Sequence, residues 1–235
     1  MTTNNEQSTA ECNYRKSYED LLRASLAGDP SAVGIEQWIF WNNSPSRHVP
    51  VASLTKFFSE AFFSLLAEDH RVRSHVDRLL KSKFSWKESV AWTPDDSLWE
   101  VSLIEPISLE RLSLLAGAIA LRKIIAQIID GSIVRKLRQE IGEDIMEFTL
   151  LSSSSSKYFL GSVEAPSEDL VAAIKKEGIM VVETAFSAKP IGVQERIASK
   201  LPGCFANQFY HEPLPLAEAA GKILNQLWKE ASSWL

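Results

Sequence analysis

Cysteine is scarce and badly spaced for chemistry. Cys12 and Cys204 stand near opposite ends of a 235-residue chain, so they offer neither a disulfide framework nor the close pairs of a zinc site, and a reducing compartment is the simpler setting. The ten glycines contain no G-x-G-x-x-G spacing, which a dinucleotide loop needs for its backbone to approach phosphate, and Gly221-Lys222 lacks the rest of a P-loop and falls inside a helical pattern. His48, His70, His75 and His211 include no H-E-x-x-H; His70 and His75 would point about 140° apart on an ideal helix. The neighbouring carboxylates Glu143-Asp144, Asp95-Asp96 and Glu168-Asp169 do not face each other across a substrate and suit helix starts and turns. Cys204 would act as a nucleophile only with His211 folded back beside it, and a small buried thiol is the simpler role. These absences predict a chain that is not an enzyme and holds no cofactor or metal; a deep pocket of convergent polar groups would reopen the question.

Excess positive charge is lacking too. The net charge of −5 argues against nucleic acid as the main partner, since that affinity comes from neutralising phosphates. Met1 to Thr9 is polar, without the charged start and apolar stretch of a signal peptide, and residues 1–12 are expected to be disordered. The one long apolar run, Leu112 to Ile129, contains Arg122 and Lys123. Each would cost roughly 2.5–3.5 kcal/mol at mid-bilayer, so the run predicts a buried helix and no transmembrane segment.

What is present is helical periodicity, in a composition 45% hydrophobic. Tyr14, Tyr18, Leu21, Leu22 and Leu26 mark a short helix ending at Gly28, and a brief segment follows around Ile35, Trp38, Ile39 and Trp41 before the loop Asn42-Asn43-Ser44-Pro45. Leu54, Phe57, Phe58, Ala61, Phe62, Leu65 and Leu66 form the clearest amphipathic stripe, and Val72, Val76, Leu79, Leu80 and Phe84 the next, a pair expected to run antiparallel. Between Ser85 and Glu105 the period is lost. Trp99, Val101 and Leu103 alternate with Glu100 and Ser102 as in a half-buried strand after the turn Thr93 to Asp96, with an extended connection equally compatible.

Pro106 and Ser108 introduce the long apolar helix to about Ile129, Asp130-Gly131-Ser132 punctuates it, and a further helix runs from Ile133 towards Phe148 with Gly142 ending or kinking it. Ser152 to Ser156 suggests a linker. Beyond it, Tyr158 to Val163 and Ile179 to Val182 fit short strands flanking a helix from Ser167 to Gly178. Val193, Ile197 and Leu201 then fit a short helix, and Leu216 to Trp234 a terminal one whose apolar stripe needs a cover. The fold class expected is mainly α: an irregular helical domain around a central apolar helix, with room for a few short β-strands. Residues 13–151 would form a helical N-terminal part and 157–235 a smaller part packed on it, with a single domain over 13–235 as the alternative.

Arg71 to Lys87 holds six basic residues against the single acid Asp77. Arg71, Arg73, Arg78 and Lys81 are the candidate partner-binding residues, as an electrostatic contact for nucleic acid, anionic lipid or an acidic protein; a solvated helix face is equally compatible. Seven tryptophans suit either core packing or interfaces, Trp228 and Trp234 being the interface candidates.

With the central helix and the proline-led terminal helix in place, the chain resembles the SctK/YscK family of type III secretion systems. The resemblance lies in Leu109 to Leu150, LERLSLLAGAIALRKIIAQIIDGSIVRKLRQEIGEDIMEFTL, and in Leu201-Pro202 ahead of LAEAAGKILNQLW. It implies a non-enzymatic cytoplasmic adaptor at the cytoplasmic face of the inner membrane, in the sorting platform, linking the cytoplasmic domain of the ring protein SctD to the C-ring-like SctQ, without a cofactor. The rival reading is a nucleic-acid-binding or regulatory helical protein using residues 71–87.

Overall fold

The protein is represented by a computed structural model that describes residues 35–47, 49–50, 69–83, 96–151, 169–201 and 216–235, with positions 54, 55, 58, 59, 62, 86 and 90. Among these residues the regular structure is all helical: α1 (Ile35–Asn43), a 3-10 turn (Pro45–Arg47), α2 (His70–Lys83), α3 (Trp99–Leu103), α4 (Pro106–Ala120), α5 (Arg122–Ile125), α6 (Gly131–Ile141), α7 (Glu143–Leu151), α8 (Leu170–Phe186), α9 (Ile191–Lys200) and α10 (Ala217–Ala231). The mainly α expectation holds.

The centre is the crossing of α4 and α8. Pro106 at the start of α4 spends no donor, because the first N–H groups of a helix have no partner within it. Leu109, Leu112, Leu115, Ala118 and Ile119 are buried, so the helix is apolar nearly all round. Gly117 lies where a Cβ would come within 2.0 Å of the Ile174 carbonyl oxygen, and Gly178 where one would come within 2.0 Å of the Ser113 carbonyl oxygen. Each helix thus offers a notch to the other's backbone, at two positions four residues, about one turn, apart. Packed on α8 is α10, whose stripe of Ala220, Leu224, Leu227 and Ala231 is fully buried. Its cover is the protein's own core, and helices from both sides of the serine run share that core.

A second hydrophobic cluster joins Val49, Leu54, Val76, Leu80 and Trp86. It is tied to the main core by a buried cation: the Arg196 guanidinium lies 5.2 Å from the Trp41 ring centroid and 4.7 Å from that of Trp86. Beside it, the Asn42 amide brackets Val90, with Nδ2 donating to the carbonyl at 3.1 Å and Oδ1 accepting from the N–H at 3.0 Å. Trp38 Nε1 donates to the same carbonyl at 3.2 Å.

Several expectations need correction. Residues 99–103 are helix, not strand: Ser102 is buried, with its hydroxyl donating to the Trp99 carbonyl at 2.6 Å, so the apparent alternation had only Glu100 on a wet side. Ile179 to Val182 belongs to α8, which runs through Gly178 because that glycine is a packing notch rather than a stop. The cap of α8 is Asp169, accepting from Val171 N at 3.1 Å, two residues beyond Ser167. The long apolar helix breaks at Leu121, which keeps Ile125 in the core while Lys123 reaches solvent. Gly142, at φ +103°, ends α6. The N-terminal 1–12 segment, the helix over 14–26, most of the stripe over 54–66, the serine run and the strand over 158–163 lie outside the described residues, as do His48, Cys204 and His211.

Adding a methyl at either notch should be costly. Gly117→Ala and Gly178→Ala are each expected to lower unfolding free energy by about 2–3 kcal/mol or more, because backbone rather than a movable side chain stands in the way. Gly131→Ala, where a Cβ meets nothing within 4 Å, should be neutral or slightly stabilising. Urea titrations of the three variants followed by circular dichroism check this.

Candidate functional site

Asp69 starts α2, its carboxylate accepting from the Arg71 N–H at 2.7 Å. Val76 and Leu80 turn into the second cluster, and the adjoining side gathers His70, Arg73, Ser74, Asp77, Arg78 and Lys81 around a concavity of about 460 Å³. These positions lie three, four, seven, eight and eleven residues beyond His70, which is one side of a helix. The far wall comes from the 3-10 turn. Asp77, itself buried, accepts a hydrogen bond from the Ser46 N–H at 2.8 Å, and this pins the turn so that Arg47 lines the same hollow.

Three of the four expected contact residues, Arg73, Arg78 and Lys81, therefore converge, and Arg71 does not: it is exposed outside the hollow. Arg47 was missed. It sits in a Pro-led turn with no charge run around it, and the bond from Ser46 N–H to Asp77, across 31 residues of sequence, holds that turn against α2. Among the described residues of the lining, Arg47, Arg73, Arg78 and Lys81 stand with the one carboxylate of Asp77. Burial lowers the Lys81 ammonium below the ordinary lysine value; the Asp77 charge opposes this, and the positive charge of Arg196 adds to it. Buried Arg196 thus contributes to the potential behind the hollow.

A second basic group is wholly internal. Lys200, at the end of α9, is fully buried and donates from Nζ to the carbonyls of Ser102 and Ile104, each at 2.7 Å. Those are carbonyls at the C-terminus of α3, where cationic or hydrogen-bonding donors are favoured. Burial pushes its pKa from 10.5 down to about 7, with Glu105 opposing. A neutral amine keeps two N–H donors, which serve both carbonyls.

Elsewhere, Phe148, Leu151 and Trp234 with Asp144 and Glu147 line a surface hollow of about 440 Å³. Trp228 and Trp234 are half-buried against the core, while Trp38, Trp41, Trp86 and Trp99 are buried. Among the described residues no group of His, Cys, Asp and Glu is arranged to hold a metal ion, and no helix is long and apolar enough to cross a membrane.

Among the described residues the molecule is a helical body whose basic side chains on α2 and the 3-10 turn line a concave face. The match to known families is specific: the family model of YOP proteins translocation protein K (YscK) covers residues 44–232, and the chain belongs to that family of type III secretion proteins. No curated protein and no solved structure matches.

The Lys200 environment predicts a pH signature. The unfolded chain holds the lysine proton up to about pH 10.5 and the folded one only to about 7, so between these values unfolding takes up protons and stability rises with pH. The contribution is at most about 1.4 kcal/mol per pH unit. In urea melts from neutral to alkaline pH, the stability difference between Lys200→Met and the parent protein should change by this slope. A pH-independent difference would show that Lys200 keeps an ordinary pKa.

Proposed function

We propose that the chain is a non-enzymatic adaptor of the type III secretion apparatus, at the cytoplasmic face of the inner membrane, linking the cytoplasmic domain of the ring protein SctD to the C-ring-like SctQ of the sorting platform. The family match over residues 44–232 carries this reading. Two features of the molecule support it. The core is knit by backbone-to-backbone packing of α4 on α8, the stiffness a bridging part requires. Its most polarised surface, the hollow of α2 and the 3-10 turn, is shaped by arginines suited to binding a charged partner. The adaptor reaches the membrane through its partners, and among the described residues no helix is long and apolar enough to cross it.

Affinity capture of the tagged full-length protein from its host, followed by mass spectrometry, tests the reading. The ring protein and the C-ring-like protein should be recovered together, and deletion of the gene should abolish secretion. Recovery of neither, or nucleic acid bound in a salt-sensitive manner in their place, would overturn it.

A further inference from the structure

We propose that the hollow between α2 and the 3-10 turn is the docking site for an acidic peptide segment of a protein partner, whose carboxylates are held by Arg47, Arg73, Arg78 and Lys81. The proposal rests on the adaptor reading for the kind of partner, and on the geometry for its chemistry. Guanidinium groups present paired N–H donors that match a carboxylate two at a time, and three of the four cations are arginines. Arg47 and Arg78 are exposed on facing elements, so a segment lying in the hollow meets positive charge on both sides. Arg196, buried behind Lys81, adds to the potential there.

Charge complementarity favours an acidic peptide over nucleic acid or lipid. A nucleic acid carries a charge about every 1.7 Å along its axis and would run beyond the hollow across a protein whose net charge is −5. The Asp77 carboxylate, on the wall of the site, is poorly placed under a doubly charged phosphate. Side-chain carboxylates spaced along a peptide can reach Arg78 and Lys81 within this basic lining and leave Asp77 with its Ser46 hydrogen bond. The hollow also has a concave shape and fixed walls, whereas a membrane contact requires an outward-facing one.

The test uses the full-length protein and a fluorescent octaglutamate peptide, with octaglutamine, a single-stranded oligonucleotide and anionic phosphatidylglycerol vesicles as comparison probes. Octaglutamate should bind saturably and more weakly as salt is raised, and Arg78→Glu should weaken it about tenfold. Arg78→Lys, which keeps the charge but loses the paired donors, should weaken binding less than Arg78→Glu does. Arg78 is exposed, so the reversal is expected to fold; an unchanged circular dichroism melt confirms it, and the double variant Arg73→Glu/Arg78→Glu should abolish binding. Equal binding of octaglutamine, tighter binding of the oligonucleotide or vesicles, or indifference to Arg78→Glu would overturn the proposal.

A photo-crosslinking residue at Ser74, on the lining between Arg73 and Arg78, completes the test in the host cell. Its crosslink should map to a Glu- and Asp-rich stretch of another protein. A crosslink to an uncharged stretch, to this chain itself, to nucleic acid or to lipid would overturn the site. If the acidic stretch belongs to a protein outside the secretion apparatus, the site stands and the adaptor reading falls. If secretion proteins are captured equally well by Arg78→Glu and octaglutamate binding is unchanged, the adaptor reading stands and the site falls.

Discussion

Two helix backbones touch at the centre of this molecule, and the position of nearly every other element follows from that contact. Gly117 faces the Ile174 carbonyl and Gly178 faces the Ser113 carbonyl, so α4 and α8 cannot separate, slide or rotate without losing a fit that no side chain adjusts. Ordinary helix pairs settle at distances set by the side chains between them. Here the backbone itself sets the distance, which fixes α8 as the platform on which α10 buries Ala220, Leu224, Leu227 and Ala231.

From the end of α8 the chain turns at Ser187 into α9, and α9 carries two buried basic side chains four residues apart. Arg196 spreads a flat, weakly hydrated charge between Trp41 and Trp86, and Lys200 directs a compact donor at the Ser102 and Ile104 carbonyls. The chemistry of each group suits its neighbours: aromatic faces for the guanidinium, carbonyls at a helix end for the amine. Burying a charge carries a desolvation cost that an apolar residue would avoid, and the lowered pKa of Lys200 is one sign of it. What the two residues contribute is direction. One face of α9 holds the end of α3 and the aromatic residues of α1 and position 86 in a single register, which nondirectional apolar packing would specify less sharply.

The sequence displays what one element can say about itself. The apolar faces of α4 and α10, the amphipathic α2 and the breaks at Asp130 and Gly142 were legible because periodicity and capping are local. Gly178 looked like a helix stop because a glycine's local meaning is termination, while its role here is set by a carbonyl on another helix. Ser102 looked wet because serine usually is, and five residues fit a strand or a helix pattern equally. Arg196 and Lys200 lie off the stripe of Val193, Ile197 and Leu201 and carried no signal of their own in the sequence; nothing within ten residues discloses the tryptophans and carbonyls that receive them. The basic site was legible only in part: spacing places Arg73, Arg78 and Lys81 on one side of α2 but also places Arg71, seven residues before Arg78, beside them, and it is the position of the 3-10 turn, held by the long-range bond from Ser46 to Asp77, that brings in Arg47 and leaves Arg71 outside.

The basic hollow and the core are coupled through this arrangement. Its walls, α2 and the 3-10 turn, stand on the second cluster rather than on the α4–α8 crossing. That cluster reaches the main core through Trp86 on Arg196, while the neighbouring α1 is fastened by Asn42 and Trp38 on Val90. The residue that fastens the hollow to the body, Arg196, is also one whose charge is felt at its floor, at Lys81. Support and potential therefore come from one side chain: the aromatic faces stabilise a cation inside the protein, and the same cation biases the outer surface towards anions. The surface charge of α2 is thus anchored in the packing of α9, which in turn depends on where the two glycines let α8 lie.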